Sequence, residues 1–259
     1  MQIIISESRR AMGRAAAVKG AEIIGRCIRE KGNARIVLST GASQFELFNA
    51  LKETGADWSK TEVFHLDEYI GLPVTHKASF RKYLKERFVD VMHPGRMHYV
   101  MAEGDIKANI SNLSRELLKE PIDLGFIGIG ENAHIAFNDP PADFNTQEPY
   151  IVVELNDSCK RQQVREGWFD TFDDVPEKAV TMSVHRIMQC RSIISFVPGE
   201  VKAKAVRDAL TEPVTPAVPA AILRNHNNVA LYLDNESAAL IIPEIKDGKY
   251  EEKDVEFNV

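Results

Sequence analysis

Two rhythms of apolar and polar residues alternate along this chain. Short apolar runs predict strands at 2–5, 34–38, 61–66, 97–100, 122–129, 150–155, 179–183, 192–197 and 229–233. Between them, apolar residues recur at helical spacing. Met12, Ala15, Ala16, Ile23, Ile24, Cys27 and Ile28 predict a long helix over 7–31, stopped by Lys31-Gly32-Asn33. Ile106, Ile110, Leu113 and Leu117 predict an amphipathic helix over 105–119. Phe45, Leu47, Phe48 and Leu51 predict one that begins near Gln44, and further helices are expected at 79–91, 157–169, 184–189, 200–210 and 220–223. The tail, 244–259, reads as exposed and charged.

Strands alternating with helices predict an α/β fold, a doubly wound, mostly parallel sheet with helices on both faces. No repeat, low-complexity tract or linker divides the chain, so a single α/β domain over 1–259 is expected. Within it, 140–178 reads as an inserted mobile lid, because 157–169 is polar and only weakly amphipathic.

A parallel sheet gathers the carboxyl ends of its strands along one edge, where ligands bind. Four predicted strand ends carry suggestive residues. The run at 34–38 leads into Ser39-Thr40-Gly41-Ala42-Ser43 and a helix start, which is either a ready anion cradle or a set of simple caps. The run at 61–66 leads into Asp67 and Glu68. Neighbours on extended backbone point opposite ways, so one carboxylate can face a pocket while the other anchors the loop. The run at 122–129 enters Gly128-Ile129-Gly130-Glu131-Asn132-Ala133-His134-Ile135-Ala136-Phe137-Asn138-Asp139-Pro140, a glycine-rich turn that presents His134 and Asp139. The run at 192–197 meets Pro198-Gly199 and a helix with Lys202 in its first turn. A lysine is mildly unfavourable against the helix dipole there, which suggests an anion nearby.

Composition narrows the options. A net charge of −6 disfavours nucleic acid as the main partner but leaves room for a small anion. Cys27, Cys159 and Cys190 are odd in number and widely spaced, so neither a disulfide framework nor a CxxC metal site is expected. The seven histidines show no metal-ligand spacing, and no GxGxxG or GxxxxGK[ST] turn is present. The first residues lack the character of a signal peptide and no run is long enough to span a membrane, so a soluble cytoplasmic protein is expected. These groups suit acid–base chemistry on a small phosphorylated substrate without a cofactor.

At these positions the chain resembles the glucosamine-6-phosphate deaminase (isomerase) family. Leu66-Asp67-Glu68-Tyr69-Ile70-Gly71-Leu72-Pro73 and the 128–140 stretch carry the resemblance. Ser39-Thr40-Gly41-Ala42-Ser43 and Gly199-Glu200-Val201-Lys202-Ala203 match two further motifs, in order and spacing, from about residue 3 to residue 237. The resemblance implies a Rossmann-like α/β/α fold. It also implies conversion of glucosamine 6-phosphate and water into fructose 6-phosphate and ammonia, with no cofactor and no metal.

Carried over by motif, Asp67 is the base that moves a proton between C2 and C1, and His134 assists opening of the sugar ring. Asp139 orients His134, and Asn132 stands with them in the catalytic set. Ser39, Thr40, Gly41, Ala42, Ser43 and Lys202 are expected to hold the phosphate, with Glu68 among the substrate-binding residues. The family also uses a lid arginine, for which Arg161 and Arg165 are the candidates, Arg161 preferred. Oligomeric state stays open, a homo-oligomer being possible.

Three departures bear on this reading. The family's Asp-Gly-His turn is here Asn132-Ala133-His134, and its glutamate is Asp139, one methylene shorter. Ala133 is expected to fit only with a negative φ. Two other functions compete. One is a 6-phosphogluconolactone hydrolase, a branch that usually reads Asp-Glu-Arg where this chain has Asp67-Glu68-Tyr69. The other is a sugar-phosphate sensor without turnover.

Overall fold

The computed structural model describes residues 1–258. Its strands are β1 (Gln2–Ser6), β2 (Ala34–Leu38), β3 (Thr61–His65), β4 (Asp67–Tyr69), β5 (Arg96–His98), β6 (Leu124–Ile127), β7 (Tyr150–Glu154), β8 (Lys178–Met182), β9 (Ser192–Val197), β10 (Val229–Asp234) and β11 (Val255–Asn258). The α-helices are α1 (Arg9–Lys31), α2 (Phe45–Leu51), α3 (Phe80–Leu84), α4 (Asp90–Met92), α5 (Ile106–Leu117), α6 (Asp157–Arg165), α7 (Val184–Ile187), α8 (Ala203–Thr211) and α9 (Ile242–Lys246).

Local chemistry accounts for the element ends. The Ser8 side chain caps α1 by accepting from the Ala11 N–H, and Gly32 closes the helix in the left-handed conformation, φ 87°. Asp105 caps α5 through the Ala108 N–H, and Asn156 caps α6 through the Cys159 N–H. The apolar stripe of α1, with Met12, Ala16, Ile23 and Ile24 fully or nearly buried, packs in one core layer with Ile36, Leu38, Phe126 and Phe196 of the sheet. The other face of the sheet buries Val37, Phe64, Ile127 and Ile193 in a second layer. A sheet covered on both faces explains why β2, β6, β9 and β10 are buried along their whole length and mostly apolar rather than alternating.

Eight strands form one sheet in the order β11-β1-β10-β9-β6-β2-β3-β5, every pair parallel. From β2 the chain winds outward through β3 to β5, then returns to place β6 on the other flank of β2. The boundary between β2 and β6 is therefore the switch point of the sheet, where a crevice opens beyond the carboxyl ends. A second, antiparallel sheet, β4-β8-β7, stands beyond that edge. Asp67 pairs with Thr181 in it.

The tail adds something the charge pattern did not suggest. Residues Val255–Asn258 pair in parallel with β1 and extend the sheet, although Glu256 and Phe257 remain exposed. No helix among the described residues is long and apolar enough to cross a membrane.

Candidate active site

Four neighbouring strands, β9, β6, β2 and β3, bring their carboxyl ends to one cleft. It is lined by Ser39, Thr40, Gly41 and Ser43 after β2, by Asp67 after β3, by Gly128, Gly130 and His134 after β6, and by Lys202 after β9. Ala42, Glu68, Asn132, Asp139, Arg161 and Arg165 do not line it.

Two of the turns share one design. Gly41 (φ 100°) and Gly199 (φ 93°) each start a single 3₁₀ turn that leads into a helix, α2 and α8. The left-handed region lets both chains double back at the strand end. Between them they place the helix start of α2 opposite Lys202. The Ser39 hydroxyl is buried there without a partner in the protein. Lys202 is the one lysine or arginine lining the cleft among the described residues. It is 5% exposed, and burial lowers its pKa. A desolvated ammonium without a directly bonded acid favours an anionic ligand.

Asp67 is buried, and its carboxyl is pushed up to about 8 by desolvation and by the neighbouring charge of Glu68. A hydrogen bond from the Phe137 backbone opposes that rise without cancelling it. Such a carboxyl changes charge near neutrality, which suits a general base.

Glu68 turns the other way, as alternation along β4 demands. It was expected among the substrate-binding residues, and it does not line the cleft. The carboxylate accepts from Ser79 Oγ at 2.9 Å, from the N–H groups of Tyr69, Phe80 and Arg81, and from Arg81 Nε at 3.4 Å. It anchors the start of α3, and its oxygens are spent on protein donors. Tyr69 is fully buried, its ring 5.0 Å from Phe80, 5.1 Å from Phe137 and 5.4 Å from Phe169. Of these rings, Phe80 and Phe137 line the cleft beside Asp67.

The His134 turn is tightly made. Gly130 N–H donates to the His134 carbonyl at 2.9 Å, and Ala133 N–H to the Gly130 carbonyl at 3.0 Å. A Cβ on Gly130 would overlap the His134 ring, so the glycine is required by close approach. Nδ1 of His134 lies 2.9 Å from Asp139 Oδ1. The ring nitrogen is not aligned on that oxygen, so the pair is a close polar contact rather than a well-directed hydrogen bond. Distance sets the coulombic coupling. Burial raises the Asp139 pKa, but contact with His134 and a hydrogen bond from Asn132 outweigh it and leave the group below its usual value.

Asn132 is a bridge in this turn. Its Nδ2 donates to Asp139 Oδ1 at 3.0 Å while its Oδ1 accepts the His134 N–H at 3.2 Å. Ala133 departs from expectation. Its φ is 63°, left-handed, and Ala136 follows at 52°. The turn is held against the roughly 1–2 kcal/mol that this region costs a residue with a Cβ. Both alanines are buried, and Ala133 is locked by its own N–H bond and by its carbonyl, which accepts from the Ala220 N–H at 2.8 Å.

The segment 140–178 roofs the cleft through α6, flanked by β7 and β8. Helix phase decides what it presents. Cys159, Gln162, Gln163 and Glu166 share one side, and Gln162, Gln163 and Glu166 line the cleft. Arg161 and Arg165 fall on the other side. Arg161 pairs with Asp157 at 3.6 Å and lies over Phe172, and Arg165 bonds Glu131. Neither arginine lines the cleft in this structure, and Arg165 is the one whose charge is felt by Lys202. The two glutamines and Glu166 were missed from sequence, although their i, i+1, i+4 spacing beside buried Cys159 would have marked the inward face.

Two clusters have donor atoms close enough to hold a metal ion. His134, Asp139 and Cys159 offer atoms within 4.8 Å of one another, as do Glu62, His98 and Glu116. In the first, burial and Asp139 push the Cys159 thiol well up, which opposes the thiolate a metal needs. In the second, Glu62 is already paired with Arg35 at 2.6 Å.

Comparison with known proteins agrees with this geometry. A family model described as glucosamine-6-phosphate isomerases/6-phosphogluconolactonase matches residues 7–232. A glucosamine-6-phosphate deaminase of Bacillus cytotoxicus is 32% identical over 250 residues, 95% of this chain and 92% of the relative. One of Clostridium botulinum is 35% identical over 234 residues, 87% of this chain and 92% of the relative. Among solved structures, a monomeric glucosamine-6-phosphate deaminase superposes with a TM-score of 0.84 at 27% identity, covering 93% of this chain and all (100%) of the other. A 6-phosphogluconolactonase-like protein from Neisseria gonorrhoeae shares the fold alone, with a TM-score of 0.72 at 18% identity over 90% of this chain and 100% of its own. From its sheet topology, the residues at its switch point and these relatives, the chain belongs to the family of glucosamine-6-phosphate isomerases and 6-phosphogluconolactonases, and is an enzyme of that family.

Proposed function

We infer that the protein converts glucosamine 6-phosphate and water into fructose 6-phosphate and ammonia, using side chains alone. The observation that carries this reading is that Asp67, with a carboxyl at about 8, and His134, 2.9 Å from Asp139, line the same cleft as Lys202. The phosphate sits against Lys202 and the Ser39–Ser43 turn. His134, held beside Asp139, passes a proton to the ring oxygen as the ring opens. Asp67 takes the proton from C2 of the open aldehyde, giving an enolamine, and a proton delivered to C1 gives the ketimine. Water adds at C2 and ammonia leaves. The chain works as one unit, with 140–178 as its lid, in the cytoplasm.

Tyr69 weighs against the lactonase reading. Where that branch usually carries arginine, this chain buries an aromatic ring, Tyr69, packed against Phe80, Phe137 and Phe169. The test supplies glucosamine 6-phosphate and measures ammonium and fructose 6-phosphate, with 6-phosphogluconolactone hydrolysis measured in parallel. Equimolar ammonium and ketose phosphate support the deaminase. Lactone hydrolysis without ammonium overturns it, and saturable binding without turnover identifies a sensor.

A further inference from the structure

The two lid glutamines differ in one respect. Gln162 is satisfied within the protein: its Nε2 donates to Glu166 Oε1 at 2.7 Å and its Oε1 accepts from the Glu131 N–H at 3.5 Å. Gln163 also lines the cleft and is 6% exposed, yet its buried Oε1 has no hydrogen-bond partner. An unpaired carbonyl oxygen removed from water is costly. Within a helix whose N-cap is made and whose neighbouring glutamine is bonded on both sides, a lone unpaired amide is an exception that a ligand would resolve.

The cleft chemistry says what kind of ligand group fits. Its charged cation, Lys202, stands at the end of β9, and both lid arginines face outward. The roof over the cleft is thus amide and carboxylate, not cationic. An amide acceptor matches an O–H or N–H of the sugar body and contributes nothing to a phosphate oxygen.

We propose that Gln163 is a specificity-determining residue, accepting a hydrogen bond from one polar substituent of the amino-sugar phosphate and so selecting among its epimers and deoxy analogues. The proposal rests on the function inferred above. A site built to bond a substrate donor rejects an analogue lacking it, because the acceptor is then left buried and unpaired. Gln162 and Glu166 hold the helix face in place while Gln163 reads the sugar.

The experiment compares wild type, Gln163→Leu and Gln163→Glu. Glutamate keeps an acceptor at the same reach, and leucine keeps the bulk without it. The panel is glucosamine 6-phosphate, its 4-epimer, and the analogues in which the 2-amine, the 3-hydroxyl or the 4-hydroxyl is replaced by hydrogen. Binding of the unreactive amino-alditol 6-phosphates with the same substitutions is measured by calorimetry, so that the readout survives even if wild type releases no ammonia. Inorganic phosphate affinity reports on an intact Lys202 site. Gln163→Leu is expected to weaken glucosamine 6-phosphate recognition roughly 10- to 100-fold. That loss should vanish for the one analogue lacking the bonded donor, with phosphate affinity unchanged and Gln163→Glu retaining the wild-type preference. An equal loss across the whole panel, or none, overturns the proposal, as does a Gln163→Glu variant that discriminates no better than Gln163→Leu. Absence of ammonia from wild type, with the calorimetric preference intact, overturns the deaminase reading and leaves the role of Gln163 standing.

Discussion

Asp67 and Glu68 are adjacent acids with different tasks, and burial separates them. Glu68 is surrounded by donors, whereas Asp67 faces the cleft with a carboxyl at about 8. The folded protein therefore holds a proton at Asp67 that the unfolded chain, with an ordinary pKa of 3.8, releases. Between those two values stability falls as pH rises, by roughly 1.4 kcal/mol per unit, and the penalty is complete above pH 8. Asp67→Asn should remove that slope, so thermal melts at pH 5 and pH 8 should converge for the variant and differ for wild type. The same variant should lose about 10²–10⁴-fold in kcat, measured by C2 proton exchange, while still binding inorganic phosphate. In wild type, kcat/KM should rise with pH toward a plateau, with an apparent pKa near 8. Motif resemblance singled out both acids. Which one faces the cleft could not be read from two neighbouring letters, because it depends on how β4 pairs with β8.

The His134 turn acts as an element rather than as separate residues. Gly130 makes room for the imidazole and Asp139 contacts it, while Asn132 and Ala133 hold the backbone of the turn by hydrogen bonding. Gly130→Ala should displace the ring and cost on the order of 10²-fold in kcat, with phosphate inhibition unchanged. Asn132→Asp would set two carboxylates face to face where an amide now donates across 3.0 Å. The Asp139 carboxyl, followed by NMR titration, should then titrate higher in the variant than in wild type, as expected for a carboxylate that gains a like-charged neighbour; an unchanged titration would show that the two acids do not face each other. Structure makes the asparagine the partner of the shortened acid, Asp139. The left-handed φ of Ala133 was likewise invisible in sequence, since an alanine gives no sign of being held there by Gly130 and Ala220. The lid helix teaches the same lesson. Its arginines are obvious as letters, but the phase of α6 turns them outward and brings two glutamines in.

At the scale of the molecule, the sheet order separates stability from chemistry. The cleft lies over the central strands β9, β6, β2 and β3, while β11 closes one edge beside β1. Deleting the chain from Val255 onward should expose β1, lower the melting temperature by a few degrees, and leave kcat and KM within about twofold. A large change in KM would place the tail in contact with the site. The alternation of strand and helix, the caps at Ser8, Asp105 and Asn156, and the turn residues at each strand end follow from interactions between near neighbours, and so the sequence by itself determined the α/β class and which short stretches carry chemistry. Long-range pairing decided the rest. That β6 returns to the free flank of β2, that β4 joins a second sheet, and that α6 shows its amide face to the cleft are set by contacts between residues tens to hundreds of positions apart. Burial in those contacts, not local propensity, sets the charge state of Asp67 and leaves Gln163 without a partner.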